Sequence, residues 1–327
     1  MKLAVDVMGF ENDINEAISA CRDFVKKFNE VTIILVGDET QINRNLINGD
    51  KFEIVHASDV IGMDDNPMSV RHRSDSSMYK AINLVAKDLA DGVLSAGSTP
   101  CYVGLTFMLI GKIENVSKIG FMPYVPTRNN AGFNFLDVGA QKLCTGKDLL
   151  HFALMANIYV KNVRQIKNPT IGILNIGTED NKGLDYHVEA NKLLSEAKDI
   201  NYIGFVESRN LLEGNTDIVI SDGYSGNLVL KAIEGAAKTI TSALKDELKK
   251  PSGWLGLIFS ISPLLRLKKK FDYKNNAGAL VIGLNKVAIK THGNADYKQF
   301  FSSLKMLKES IEFNIINDIK EKFKNAK

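Results

Sequence analysis

Hydroxyl groups, small residues and backbone amides gather in the segment SAGST, residues 95–99, directly after a short apolar run. At the start of a helix, aligned amides and the helix dipole can hold a phosphate. An ordinary strand-to-helix turn with an N-cap has the same composition. The segment alone therefore leaves a phosphate site and a simple turn open.

A second cluster of this kind, RHRSDSS at residues 71–77, combines two guanidinium groups with three hydroxyls just before a predicted helix. Arginine is the side chain best shaped for bidentate hydrogen bonds to phosphate. A solvated, charged helix start is the alternative interpretation. Two phosphate-suited segments in one chain favour phosphate binding more than either does alone.

A lysine and an asparagine follow two further apolar runs. Lys182 lies in a polar, glycine-bounded segment, residues 175–183, where its ammonium could neutralise charge developing on a carbonyl or phosphoryl oxygen. Asn227 stands at a predicted helix start, where asparagine is also a common cap. Each residue by itself also has a non-catalytic interpretation, an exposed lysine or a capping asparagine.

Composition and missing motifs exclude several function classes. The 327-residue chain has 41 Lys plus Arg against 38 Asp plus Glu, a net charge of +3 that does not indicate a nucleic-acid partner. Its three cysteines form no CxxC pair and its five histidines show no metal-ligand spacing, so neither a disulfide framework nor a metal site is predicted. The GxGxxG, P-loop, HExxH and GxSxG motifs are absent. Conventional dehydrogenases, P-loop ATPases, metallohydrolases and serine hydrolases are therefore disfavoured.

The elements that must position these residues alternate along the chain. Short apolar runs end in glycine-containing turns, and residues 79–89, 149–163 and 228–248 carry helical apolar spacing. This alternation predicts an α/β fold with three layers, a mostly parallel sheet covered by helices on both faces. Right-handed crossovers would place the carboxyl ends of the strands, with their loops, along one edge. No linker divides the chain, so residues 1–327 are expected to form a single module.

Residues 249–271 differ from the rest because they are apolar, have basic flanks and contain no acid. Too short to span a bilayer, this insert suits a helix that lies on an anionic membrane surface. A helical hairpin buried at a dimer interface is the alternative. The chain begins with a strand-like segment and no signal peptide, which predicts a cytoplasmic protein with peripheral membrane contact. The residues expected to face the membrane recur at helical spacing and are Trp254, Leu257, Ile258, Ile261 and Leu265.

Eight segments together resemble the bacterial phosphate acyltransferase (PlsX) family of phospholipid synthesis. They occur in family order and cover nearly the whole chain, which makes the set specific although each segment alone is not. The resemblance implies a sandwich similar to the isopropylmalate dehydrogenases and phosphotransacetylases. The segments are VDVMG (5–9), ASDVIGMDDNP (57–67), RHRSDSSM (71–78), SAGST (95–99), LDVGA (136–140), NPTIGILNIGTEDNKG (168–183), SDGYSGNLVLK (221–231) and KTHGNAD (290–296).

The resemblance implies a homodimeric enzyme that needs no cofactor. It would convert fatty acyl-acyl carrier protein and inorganic phosphate to acyl phosphate and free carrier protein, feeding phosphatidic acid synthesis. Its partners would then include a downstream glycerol-3-phosphate acyltransferase. By motif, the catalytic candidates are Lys182 and Asn227. The residues expected around the phosphate or acyl phosphate are Arg73, Ser76, Ser77, Ser95, Gly97, Ser98, Thr99 and His292.

Three positions depart from the family pattern. Phe10 follows Gly9 where the family continues with aspartate, Pro100 follows SAGST where a glycine is usual, and Gln141 replaces an asparagine after LDVGA. We expect these changes to affect chain-length preference and rate more than reaction type. One alternative is a phosphate acetyl- or butyryltransferase that uses acyl-CoA. Others are a non-catalytic membrane scaffold and, third, a nicotinamide-dependent decarboxylating dehydrogenase.

Overall fold

A computed structural model describes residues 1–249 and 277–324, together with Ser262 and Arg266. The strands within these residues form one sheet of eleven, in the order β3-β2-β1-β4-β11-β10-β5-β6-β9-β7-β8. The strands are β1 (Lys2–Asp6), β2 (Thr32–Gly37), β3 (Glu53–His56), β4 (Gly92–Ser95), β5 (Gly120–Val125), β6 (Phe133–Leu136), β7 (Thr170–Asn175), β8 (Asn201–Glu207), β9 (Ile218–Ile220), β10 (Ala279–Ile282) and β11 (Val287–Lys290).

Helices cover both faces of this sheet, as the alternating pattern predicts. One face packs against α1, α2, α5, α6, α8 and α9, and the other against α3, α4 and the first turns of α7. Because both faces are covered, strands such as β4 and β6 are buried along their whole length. The helices are α1 (Ile14–Lys27), α2 (Glu39–Asn45), α3 (Ser77–Ala86), α4 (Thr99–Ile110), α5 (Gly146–Val163), α6 (Asp185–Glu196), α7 (Gly223–Lys249), α8 (Tyr297–Glu312) and α9 (Ile315–Phe323), and short 3-10 turns span Val70–His72 and Ser208–Glu213.

The direction of the strands divides the sheet into two halves. Strands β1, β2, β3, β4 and β11 are parallel, but β10 is antiparallel to both β11 and β5, and β6 is antiparallel to β5. Strands β6, β9, β7 and β8 therefore run opposite to the first group. The expectation that all strand ends share one edge is thus wrong. We call the edge where β1, β4 and β11 end the first edge, and that where β6, β7 and β9 end the second edge.

The carboxyl-terminal helix is also interrupted. The sequence pattern predicts one helix over residues 296–324, whereas the structure has two, joined at Asn314. Asn314 has a φ of 53°, in the left-handed region, which asparagine tolerates better than most residues. The break turns α9 so that Ile315, Ile319 and Phe323 are buried, and α9 packs against α5 and α8.

The apolar-basic insert lies outside the part of the chain that the structure describes, apart from Ser262 and Arg266. The five predicted membrane-facing residues, Trp254, Leu257, Ile258, Ile261 and Leu265, all fall in the undescribed range. Within the described residues, no helix is both long and apolar enough to cross a bilayer.

Candidate functional site

A buried acid organises the first edge. Asp6, the last residue of β1, is 1% exposed, and its carboxylate accepts hydrogen bonds from the Ser95 hydroxyl (2.7 Å) and the Met8 amide (3.2 Å). The Ser77 hydroxyl also hydrogen-bonds this carboxylate. Burial raises the pKa of Asp6 to about 6 in spite of these donors and the nearby Lys290 ammonium. Asp6 thus engages two of the serines that the family resemblance places around phosphate.

A buried cation lies beside this acid, at the end of β11. Lys290 is 4% exposed, and its ammonium donates to the carbonyl oxygens of Ala96 (3.4 Å) and Thr291. Among the described residues it forms no ion pair within 4 Å. Burial lowers the pKa of Lys290 to about 7, an effect opposed by Asp6 and reinforced by Lys231. Because the described residues offer the Lys290 ammonium only these two carbonyl oxygens, it is available to bind an anion.

Two further hydroxyls at this edge are buried, those of Thr291 and Ser98, each residue being 2% exposed. The Thr291 hydroxyl has no hydrogen-bond partner in the described part of the protein, and the Ser98 hydroxyl interacts with the Cys101 thiol. Ser98 is the N-cap of α4 but makes no side-chain capping bond, so the amino end of that helix lacks its usual acceptor. Buried hydroxyls without partners are uncommon and indicate a missing ligand, ion or water.

Two other residues predicted to lie around the phosphate, Arg73 and Ser76, already form hydrogen bonds with protein groups at this edge. The Arg73 guanidinium binds Asp59 (2.7 Å from Nε), Asp65 (2.6 Å) and the Val60 carbonyl (2.7 Å). Its pKa is raised, chiefly by the Asp59 hydrogen bond. The Ser76 hydroxyl donates to the Arg73 carbonyl (2.7 Å) and caps α3. In this conformation Arg73 and Ser76 fix the loop that precedes α3.

The turn after β6 organises the second edge. Asp137 is fully buried, and its carboxylate accepts four backbone N–H groups, from Phe121 (2.8 Å), Gly139 (3.2 Å), Ala140 (3.0 Å) and Gln141 (2.6 Å). Burial nevertheless raises its pKa to about 6. The carboxylate fixes the conformation of the LDVGA segment, and its role is structural.

Asn227 lies against this turn, one helical turn into α7. Together with Gly139, Gln141, Tyr224 and other residues it lines a depression of about 160 Å³. The Asn227 side chain is close enough to Gly139 that a Cβ there would lie 3.8 Å from it. Among the described contacts, no hydrogen bond holds the Asn227 amide, so it can donate to a substrate oxygen.

Lys182 occupies a loop at the same edge. The loop is closed by Asn175, whose side-chain amide donates to the Lys182 carbonyl (2.9 Å) and whose oxygen accepts from the Ile176 amide (2.9 Å). The Lys182 side chain is exposed. Strand β9 lies beside β7, and Tyr186 donates to Asp222 (2.9 Å), so the Lys182 loop and the start of α7 are neighbours.

Helix α7 joins the two edges. It begins beside Asp137 at the second edge, and Glu234 then lies 3.8 Å from His292 at the first. Lys231, one turn after Asn227, binds Glu234 (2.9 Å) and interacts electrostatically with Lys290. Seven residues of helix rise about 10 Å. The catalytic candidate Asn227 therefore lies about that distance along the helix from Glu234, the helix residue beside the predicted phosphate residue His292.

A cavity of about 610 Å³ adjoins the first edge. It begins at Val7–Gly9, directly after Asp6, and a Cβ on Gly97 would lie 3.6 Å from the Gly9 carbonyl. Its walls include apolar side chains, Met8, Phe10, Val60 and Met63, besides polar ones. The Phe10 ring packs edge-on against the Phe300 ring, with 5.2 Å between the ring centroids. This contact holds Phe10, one of the three departures from the family pattern, in the cavity wall.

The structure brings Lys182 and Asn227 to one edge, and Arg73, Ser76, Ser77, Ser95, Gly97, Ser98, Thr99 and His292 to the other. Sequence reasoning missed Asp6, Lys290 and Thr291 as individual site residues, although all three stand in the motifs VDVMG and KTHGNAD. The signal that could have identified them is their position at the end of β1 or β11, or directly after it. Within the described residues, no cluster of His, Cys, Asp or Glu could hold a metal ion.

Comparison with known proteins identifies the family. A family model described as "Fatty acid synthesis protein" matches residues 1–318. Phosphate acyltransferases of Malacoplasma penetrans and Mycoplasma genitalium are 60% and 50% identical to this chain over 324 residues, covering 99% of it and 98% of each relative. A phosphotransacetylase from Streptococcus pyogenes, 16% identical, has a TM-score of 0.62 over 95% of this chain and 94% of its own, which confirms the predicted fold. The chain belongs to the phosphate acyltransferase (PlsX) family of fatty acid synthesis proteins.

Proposed function

We propose that this enzyme transfers a fatty acyl group from acyl carrier protein to inorganic phosphate, releasing acyl phosphate and free carrier protein. The observation that carries this proposal is the nearly full-length similarity to relatives named phosphate acyltransferase. The phosphate-suited first edge and the donors at the second edge support it.

In the mechanism, a phosphate oxygen attacks the thioester carbonyl and the pantetheine thiolate leaves. Holding the two reactants in line can supply roughly 7–11 kcal/mol of barrier reduction. Lys182 and Asn227 stabilise the tetrahedral oxyanion by donating to it. No acyl-enzyme is required, and burial raises the pKa of all three cysteine thiols, Cys21, Cys101 and Cys144, which argues against a cysteine nucleophile.

The acyl chain has a natural place in the 610 Å³ cavity beside the SAGST turn. Its size is within the roughly 300–1,000 Å³ usual for small-molecule sites, and Met8, Phe10 and Met63 supply apolar walls. Phe10 then limits chain length. Its replacement by alanine should shift the preference toward longer acyl chains.

Carrier protein, a second copy of the chain and a membrane surface are the proposed partners. Residues 236–247 of α7 are exposed and include Ile240 (68% exposed) and Leu244 (39%), which suits contact with another copy in a homodimer. The basic flanks of residues 249–271 suit acidic carrier protein and anionic lipid. A membrane position would bring the acyl phosphate to a downstream glycerol-3-phosphate acyltransferase.

Mass spectrometry on the purified protein with palmitoyl-acyl carrier protein and phosphate tests the reaction, and palmitoyl-CoA serves as the comparison donor. Phosphate-dependent appearance of acyl phosphate with free carrier protein is expected. Equal or faster turnover of the CoA thioester would instead indicate an enzyme that uses acyl-CoA, as a phosphate acetyl- or butyryltransferase does. If both thioesters stay intact while the folded protein binds anionic vesicles, the scaffold alternative replaces the proposal.

A further inference from the structure

We propose that Tyr186 is a positioning residue for acyl transfer, because its hydroxyl ties the loop that carries Lys182 to the start of the helix that carries Asn227. This inference rests on the proposed function for the reaction itself. Tyr186 stands outside the eight segments that carry the family resemblance. Its role is indirect, since it acts through Asp222 on the relative position of the two donors.

Asp222 fixes the first turn of α7. This residue is 3% exposed, and its Oδ1 atom accepts a hydrogen bond from the Ser225 amide at 2.8 Å. Its backbone carbonyl accepts one from the Gly226 amide at 2.9 Å. Because Asn227 directly follows Gly226, its position depends on the turn that Asp222 holds.

The other carboxylate oxygen of Asp222 binds a different element. Oδ2 accepts a hydrogen bond from the Tyr186 hydroxyl at 2.9 Å, and Tyr186 is the second residue of α6. Among the described residues, this hydrogen bond is the one that joins α6 to the start of α7. Burial, and then the charge of Asp222, raises the pKa of Tyr186, so the hydroxyl remains a protonated donor at neutral pH.

The Lys182 loop is firmly attached to Tyr186, which follows Lys182 by four residues. The Asn175 side-chain amide closes the loop on the Lys182 carbonyl at 2.9 Å. A Cβ at Gly183 would lie 2.4 Å from Asn175 Oδ1 and 3.0 Å from His187 Nδ1, so the connection is packed without space for adjustment. A displacement of the amino end of α6 would therefore carry the loop with it.

Two donors that stabilise one oxyanion must keep a fixed separation. Catalytic groups need to be held to within roughly 0.5 Å, and a misplacement of about 1 Å can cost on the order of 10² in rate. The Lys182 side chain is exposed, and Asn227 lies on another element. Their separation therefore depends on a contact between the two elements, which the hydrogen bond from Tyr186 to Asp222 supplies.

Tyr186→Phe removes the hydroxyl and keeps the ring. With palmitoyl-acyl carrier protein and phosphate, kcat should fall about 10- to 100-fold, because the oxyanion donors are displaced. The KM of each substrate should stay within about two-fold of the wild-type value, since the lost stabilisation is specific to the transition state.

Tyr202→Phe is the matched control. Tyr202 is also half-buried and also donates to α6, to Asn191 Oδ1 at 2.7 Å, but it does so from the outermost strand, β8. This variant should retain the wild-type kcat. A normal kcat in Tyr186→Phe, or an equal loss in Tyr202→Phe, would overturn the proposal.

The Lys182→Ala background distinguishes positioning from a general loss of structure. There Tyr186→Phe should lower kcat by less than about three-fold, since the donor that it positions is gone. A general weakening of the fold would instead lower kcat by the same factor in both backgrounds. Full additivity of the two substitutions would therefore contradict the assigned role.

Amide hydrogen exchange of the full-length protein gives a readout that needs no catalysis. Tyr186→Phe should raise exchange several-fold in residues 176–184 and 223–230, whereas Tyr202→Phe should leave both segments unchanged. If wild type releases no acyl phosphate but exchange responds in this way, the proposed function fails and the link between loop and helix stands. If wild type forms acyl phosphate while Tyr186→Phe changes neither kcat nor exchange, the function stands and this inference fails.

Discussion

Gly226 of α7 packs directly on the carbonyl oxygen of Asp137. A Cβ at Gly226 would lie 2.0 Å from that oxygen, which is backbone and cannot turn aside. The contact allows the first turn of α7 to approach the LDVGA turn and places Asn227 beside Gly139. The second glycine of SDGYSGN, Gly226, is therefore required by packing, whatever the role of Asn227 beside it.

Gly226→Ala should destabilise the protein by about 1–3 kcal/mol, as overpacking usually does, and should reduce turnover because α7 must shift with Asn227. Gly235→Ala on the same helix is the control. A Cβ there meets nothing within 4 Å, so alanine should add about 0.5–1 kcal/mol of stability. Urea unfolding of both variants measures these changes, and equal effects would contradict the packing argument.

Lys182→Ala should lower turnover by about 10²–10³ and leave the unfolding midpoint unchanged, because the side chain is exposed and acts on the oxyanion. Asn227→Ala should have a similar effect. Lys198→Ala, an exposed lysine beyond the far end of α6, should retain the wild-type rate. Acyl phosphate formation measured by mass spectrometry checks all three, and a wild-type rate in Lys182→Ala would remove it from the catalytic pair.

Stability should fall in mild acid because of His151. Its buried ring accepts a hydrogen bond from the Ser117 amide at 3.0 Å, and burial lowers its pKa from 6.5 to about 4. Between these values the unfolded chain binds a proton that the folded chain does not, so stability is lost as pH falls from 6.5 to 4, by up to about 3 kcal/mol.

His151→Asn, which keeps an acceptor but does not titrate, should remove this loss. The raised pKa values of Asp6 and Asp137 increase stability as pH falls, which is the opposite direction. This contribution is the same in wild type and in His151→Asn. The difference between wild type and variant in urea unfolding at pH 4 to 7 therefore isolates His151. Parallel pH curves would show that His151 titrates normally.

A buried ion pair attaches α1 to the loop after α2. The Arg22 guanidinium forms three hydrogen bonds of 2.8–3.0 Å with Asp50, and both side chains are largely buried. Asp50→Ala should cost about 3–5 kcal/mol because it leaves a buried charge without its partner. The exposed pair of Lys2 and Glu53 is the control, and Glu53→Ala should cost less than about 1 kcal/mol. Similar losses in both variants would contradict this distinction.

Much of the site was visible in the sequence as segments. The SAGST, LDVGA and SDGYSGN segments do lie at strand ends, because a glycine turn after an apolar run marks the end of a strand wherever the strand points. The positions of Lys182 and Asn227 after apolar runs were recognised in the same way, and their catalytic role stays a prediction. Which hydroxyls are free could not be predicted, since Ser77 and Ser95 are engaged by Asp6 from a strand some 70–90 residues away in sequence.

The sequence by itself determined the α/β alternation and the local ends of most elements. The reason is that burial against the core imposes a regular spacing of apolar residues, which can be recognised within a few residues. Only the tertiary structure decided which edge each loop occupies. Three antiparallel pairings in the middle of the sheet, β11 with β10, β10 with β5 and β5 with β6, leave the second half running opposite to the first and separate Lys182 from Ser95. The tertiary structure likewise places Lys290 near Asp6, 284 residues apart, because strand pairing is set by long-range packing that no local pattern records.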